Sequence, residues 1–137
     1  MSKLTDDDIV GMVNRYNEEL DLVRQVAEKI WKAEPVQDPG NSRTMVYRLH
    51  GGMSSVHDIY RVLFNSIDGA LDLVNQRSLG IMLMRQFGRE TTVRLYNDQR
   101  MLGYAVAEAR HMKPARAIIE AVLNAYDVLE TDHDHAH

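Results

Sequence analysis

The chain has no cysteine among its 137 residues, which excludes disulfide bonds, thiolate catalysis and cysteine-ligated metal. No apolar run approaches the ~18–20 residues that cross a bilayer, because charges or glycines interrupt every one. The N-terminus turns acidic (Asp6, Asp7, Asp8) where a secretory signal would carry its apolar stretch, so the expected location is the cytoplasm, or a virion if the chain is viral. Recognisable catalytic signatures are also missing. There is no G-x-S-x-G elbow, no dinucleotide-binding glycine fingerprint, no P-loop and no H-E-x-x-H helix. Proline is limited to three positions, and each works as punctuation: Pro35 after one helical pattern, Pro39 in a turn and Pro114 before another pattern.

What is present is an ordinary globular composition, 45% hydrophobic and 26% charged, long enough for one domain with a real core. The clearest stretch runs from Thr5 to Lys32. Ile9, Val13, Tyr16, Leu20, Val23, Ala27 and Ile30 recur in alternating steps of four and three, a coiled-coil-like seam. Thr5 is a good N-cap, Thr5-x-x-Asp8 is an acidic capping box, and Pro35 predicts a stop near Ala33. Such a helix is roughly 40 Å long. Its seam must be covered by the rest of the fold or by another chain.

Further along, Glu34 to Thr44 is expected to be a loop, and Met45–His50 a short alternating segment ended by Gly51-Gly52. A helix capped by Ser54 or Ser55 should carry Val56, Tyr60, Leu63, Ile67, Leu71 and Val74, with Gly69 marking close approach or a bend, and should break between Asn75 and Ser78. A short helix over Leu79–Phe87, capped by Ser78 and ended by Gly88, follows. Thr91–Tyr96 reads either as a strand, able to pair with Met45–His50, or as the start of a helix over Thr92–His111. The sevenfold recurrence of Leu95, Leu102 and Ala109 favours the helix. A last helix begins at Pro114. The expectation is an all-α, single-domain bundle of four to five helices over residues 1–130, with at most a minor strand near 45–50, and a polar His/Asp-rich tail at 131–137.

Charge is segregated. Residues 1–40 hold five basic and nine acidic side chains, residues 77–116 hold eight and three, and residues 117–137 hold none and five. Within the basic middle, Arg85, Arg89, Arg94 and Arg100 form a candidate cluster for an anion or an acidic partner. A sequence pI near 5.8 and the lack of a recognition motif rank nucleic acid below a protein partner. His50, His57 and Asp58, together with the tail histidines His133, His135 and His137, are the candidates for metal or enzymatic chemistry. His111 stands alone, and no second pair at helical spacing completes a site. Gly51-Gly52 reads as a turn, and the abundant methionines as core filling. No cofactor is expected. The leading expectation is therefore a non-enzymatic structural or assembly protein, a virion component or a subunit of another complex, that self-associates through the seam. A small regulator that binds nucleic acid or a phosphorylated ligand through the arginines, and a metal-binding or enzymatic protein using the histidines, are the alternatives.

Overall fold

The computed structural model describes residues 5–38, 40–49, 52–85, 88–98, 100–101 and 103–135, with backbone only at 41–44 and 130–135. It is mixed α and β. Among the described residues there are four α-helices and two three-stranded antiparallel sheets, which overturns the all-α bundle. The chain divides between Tyr60 and Arg61 into two compact units, and the divide falls inside the second helix.

The first unit opens with α1, Asp6–Gln25. The capping box is formed as the sequence suggests: Asp8 N–H donates to Thr5 Oγ1 and Thr5 N–H donates to Asp8 Oδ2, both at 3.1 Å. At its C-terminal end α1 widens into a π-helical turn, Val26–Ile30. Trp31 N–H reaches back five residues to Val26 O, and Lys32 leaves the helix in the left-handed region at φ 53°.

Strands β1 (Glu34–Asp38), β2 (Asn41–Leu49) and β3 (Gly52–Ser55) then form a sheet of order β1-β2-β3. The stretch expected to be a loop at 34–44 is thus mostly a hairpin. The turn signal was sound, with Gly40 N–H donating to Asp38 Oδ1, but its flanks pair as strands. Pro35 is tolerated because β1 is an edge. The alternation of Met45, Tyr47 and Leu49 is only partly realised: Val46 and Tyr47 are both buried, while Met45 is 48% exposed. Ser55 Oγ accepts the Asp58 N–H and starts α2, Val56–Phe64.

The single helix expected after Ser55 is two. Ser66 adopts extended geometry after α2, and α3 runs from Ile67 to Gln76. Gly69 is where the first turn of α3 meets the end of α2, since any Cβ there would collide with the Val62 carbonyl. Ser78 does not cap a new helix. It takes the left-handed conformation at φ 54° and closes α3, with Leu79 N–H bonded to Val74 O.

The short helix expected over Leu79–Phe87 is instead strand β4, Gly80–Arg85. The helix expected over Thr92–His111 is a hairpin of β5 (Thr91–Tyr96) and β6 (Ala107–His111). The sheet order is β4-β5-β6, so β5 pairs with its own neighbours and not with Met45–His50. The physical reason is visible in β5: Thr91, Val93 and Leu95 are fully buried while Thr92 and Arg94 are half-exposed, a period of two. Helix α4, Pro114–His135, starts at the expected proline and packs against β5, β6 and α3. It buries Ile118, Ile119 and Val122 completely, and Arg77 stacks 4.0 Å above the Tyr126 ring. Its backbone continues helical to His135, through the stretch expected to be a separate tail.

Candidate functional site

The seam on α1 is one pattern in the sequence but two surfaces in the fold. Its C-terminal half, Leu20, Val23 and Ala27, is buried, and Ile30 is half-buried. In the N-terminal half Ile9 is 47%, Val13 52% and Tyr16 37% exposed, and Val10 and Met12 flank them, also more than half exposed. About two helical turns thus present an apolar face to solvent.

The change of character falls at Tyr16, where a belt of polar and aromatic side chains ties α1 to the start of α2. Tyr16 Oη lies 2.7 Å from His57 Nδ1, and the Tyr16 ring meets Tyr60 edge-on with centroids 5.0 Å apart. Tyr60 Oη donates to Glu19 Oε1 at 3.0 Å, and Glu19 is only 1% exposed. Burial, followed by the hydrogen bond and charge of Glu19, pushes the Tyr60 phenol up to about 12. Tyr60 therefore stays a donor at neutral pH. The belt holds the exposed half of α1 in a fixed orientation, so the apolar face is pre-shaped.

Charges border that face. Asp6, Asp7 and Asp8 stand at the helix start, and Arg15 lies two turns on, on the side occupied by Asp8 and Met12. The Asp8 carboxyl is held below its ordinary value, mainly by the Thr5 backbone N–H and the Thr5 side chain, with a smaller contribution from Arg15.

The four arginines singled out by sequence do not converge. Arg100 pairs with Asp98 at 3.5 Å in the turn after β5, and Arg85 ends β4. Arg94 pairs with Glu108 at 3.2 Å across the β5–β6 ladder, and Glu108 also holds Arg110 at 3.1 Å. The Arg110 and Arg94 contacts keep the Glu108 carboxyl below its usual value. Arg89 shares an open concavity of about 530 Å³ with Met84, Glu90, Thr92, Arg110 and Met112. Arg110 was missed as a partner of Arg89. The alternation Glu108-Ala109-Arg110, read as a strand opposite Thr92 and Arg94, is the signal that finds it.

The histidine candidates are dispersed. His57 sits in the belt on α2, and His111 Nδ1 accepts the Lys113 N–H. His50 and His137 lie outside the described residues, as do the side chains of His133 and His135. No group of three metal-ligating side chains occurs among the described residues, and no helix there is long and apolar enough to cross a membrane. No known protein family, curated protein or solved structure matches the chain. The fold and its surfaces are accordingly the ground for a functional reading: an α+β protein with an exposed apolar helix face.

Proposed function

We propose that the protein is a non-enzymatic assembly subunit, and that the N-terminal half of α1 pairs with the same helix of a second copy. The observation that carries this is the exposure of Ile9, Val10, Met12 and Val13 together on a helix anchored by the Tyr16–His57 belt. Completing the burial of these four half-exposed side chains is worth about 1 kcal/mol each. Monomeric proteins seldom leave such a contiguous patch uncovered.

The charges favour an antiparallel arrangement. A parallel pair would set Asp6, Asp7 and Asp8 of both copies side by side. An antiparallel pair with Ile9 against Val13 of the second copy brings Asp8 to Arg15 of that copy. The twofold then repeats the pair at the other end. Sedimentation velocity tests this reading. Self-association is expected in the micromolar range, weakened by Val13→Asp and by Arg15→Glu, the latter more strongly at low salt. A strictly single-copy mass at high micromolar concentration and physiological salt refutes it.

The Arg89–Arg110 concavity favours a second reading, a regulator that binds a small organic anion. Its volume is in the range of ligand sites, its methionines offer adaptable apolar walls, and Arg89 has no ion-pair partner among the described residues. Calorimetric titration with inorganic phosphate and with a nucleoside monophosphate tests it. Binding must disappear in Arg89→Ala/Arg110→Ala, and flat titrations at low salt remove the reading.

A further inference from the structure

Thr91, Val93 and Leu95 form the buried row of β5, and α4 packs against β5 and β6, so Thr92 stands on the opposite face of the second sheet. Strand pairing carries that face across the sheet, with Met84 of β4 on one side of Thr92 and Arg110 of β6 on the other. Glu90 precedes Thr92 by two residues and Met112 follows Arg110 by two, which continues the same face beyond the strands. Both line the concavity, together with Arg89 from the β4–β5 connection.

The concavity therefore gathers charges of both signs, and they do not neutralise one another. Neither Arg89 nor Glu90 has an ion-pair partner among the described residues. Arg110 is oriented by Glu108, whose Oε1 accepts from Nε at 3.1 Å and lies 3.1 Å from Nη2. The Nη1 side of that guanidinium is left for another acceptor. Thr92 adds a hydroxyl to the floor, and the half-exposed Met84 and Met112 add apolar, polarizable wall. A doubly charged phosphate suits this lining poorly, because Glu90 sets a like charge beside it.

We propose that the concavity binds a free aromatic α-amino acid. This rests on the anion-binding reading of the same concavity and narrows its anion to a carboxylate carried beside an ammonium. The carboxylate goes to Arg89 and to the Nη1 side of Arg110, through the charge-assisted bonds that guanidinium groups make well. The ammonium goes to Glu90. The ring lies against Met84 and Met112, whose thioether sulfurs make favourable contacts with aromatic edges. A ligand of zero net charge also agrees with a lining in which the carboxylates of Glu90 and Glu108 accompany the two arginines. The volume of about 530 Å³ admits a ring with both head groups and falls within the ~300–1,000 Å³ usual for small-molecule sites.

Calorimetric titration of the full chain with a set of probes tests this. L-phenylalanine has all three groups, phenylpropanoate lacks the ammonium, phenethylamine lacks the carboxylate, L-alanine lacks the ring, and inorganic phosphate is the bare anion. Phenylalanine should bind at least ~tenfold tighter than each of the others, since each has lost a hydrogen-bonded charge or the aromatic contact. Glu90→Gln, at an exposed position, should weaken phenylalanine about tenfold while leaving phenylpropanoate unchanged or tighter. Misfolding would weaken both. Methyl resonances of isotope-labelled methionines supply the second measurement. Ring currents from bound phenylalanine should move Met84 and Met112 but not Met45 and Met53, which do not line the concavity. If phenylalanine gains nothing over phenylpropanoate, or Glu90→Gln leaves its affinity unchanged, the proposal falls while the anion-binding reading stands. Alanine binding as tightly as phenylalanine, or methyl shifts confined to other methionines, also overturns it. Flat titrations with every probe remove both readings.

Discussion

Replacing either of two valines ten residues apart on α1 by aspartate should produce opposite failures. Val23 is fully buried, so a carboxylate there would be withdrawn from water. An unpaired buried charge of this kind costs about 3–5 kcal/mol, a large share of the ~5–15 kcal/mol that holds a domain together. Val23→Asp should therefore lower the unfolding free energy by about 3–5 kcal/mol, or abolish folding if the domain lies at the low end of the ~5–15 kcal/mol range. Val13 is 52% exposed, so the same substitution should leave stability within about 0.5 kcal/mol of wild type. Its effect lies in association. About half of the ~1.5 kcal/mol for burying a valine is forfeited on each of two copies, before any cost of desolvating the new charge. The dissociation constant should rise at least ~tenfold. Chemical denaturation followed by circular dichroism measures the first effect, and sedimentation velocity the second. If Val13→Asp destabilises the fold as much as Val23→Asp, the N-terminal half of α1 is core and the proposed surface does not exist.

Other substitutions test the fold itself. Thr91 is fully buried and its hydroxyl has no hydrogen-bond partner among the described residues, so Thr91→Val should be neutral or stabilising by about 1 kcal/mol in thermal denaturation. A clear loss would mean the hydroxyl is satisfied in solution. Gly69→Ala places a methyl group against the Val62 carbonyl and should cost about 3 kcal/mol at the α2–α3 junction. Unchanged stability would show that the two helices do not meet as described. Alkaline titration probes the belt. The Tyr60 phenol is raised from 10.0 to about 12, so its proton is held more tightly in the folded state. The contribution is whole below pH 10 and lost as pH rises towards 12. Tyr60→Phe should flatten that alkaline limb, and an unchanged limb would contradict the Glu19–Tyr60 bond. At the acid end Glu108 acts with the opposite sign: its lowered value makes it stabilising above its ordinary 4.5, and that contribution fades as pH falls below it.

Local signals were legible where a single side chain and its neighbours decide the backbone. The Thr5–Asp8 capping box, the Ser55 cap, the break after Asn75 and the Pro114 start all follow from groups within four residues of one another. The sheets were not legible, because short strands give little periodicity to measure. Ile81–Met84 is apolar at every position and reads equally as buried helix or strand. Leu95 and Ala109 do recur by sevens with Leu102 between them, yet they sit on paired strands β5 and β6, so the spacing was a coincidence of hairpin length. The decisive evidence in that region was the alternation Thr91, Val93, Leu95, which tertiary pairing turned into a central strand. Of the site, the apolar pattern on α1 was plain, but its division at Tyr16 was not. That division depends on His57 and Tyr60, 41 residues away from Tyr16 and Glu19 respectively, and no local pattern announces such a contact.

The central claim is that the exposed half of α1 is a contact between copies. Sedimentation velocity of the unaltered chain, from low to high micromolar concentration at physiological salt, tests it most directly. The account predicts a mass that rises from one copy to two or more with concentration, and a rise shifted to higher concentration by Val13→Asp. A single-copy mass throughout the range, with Ile9, Val10, Met12 and Val13 still open to solvent, would contradict it.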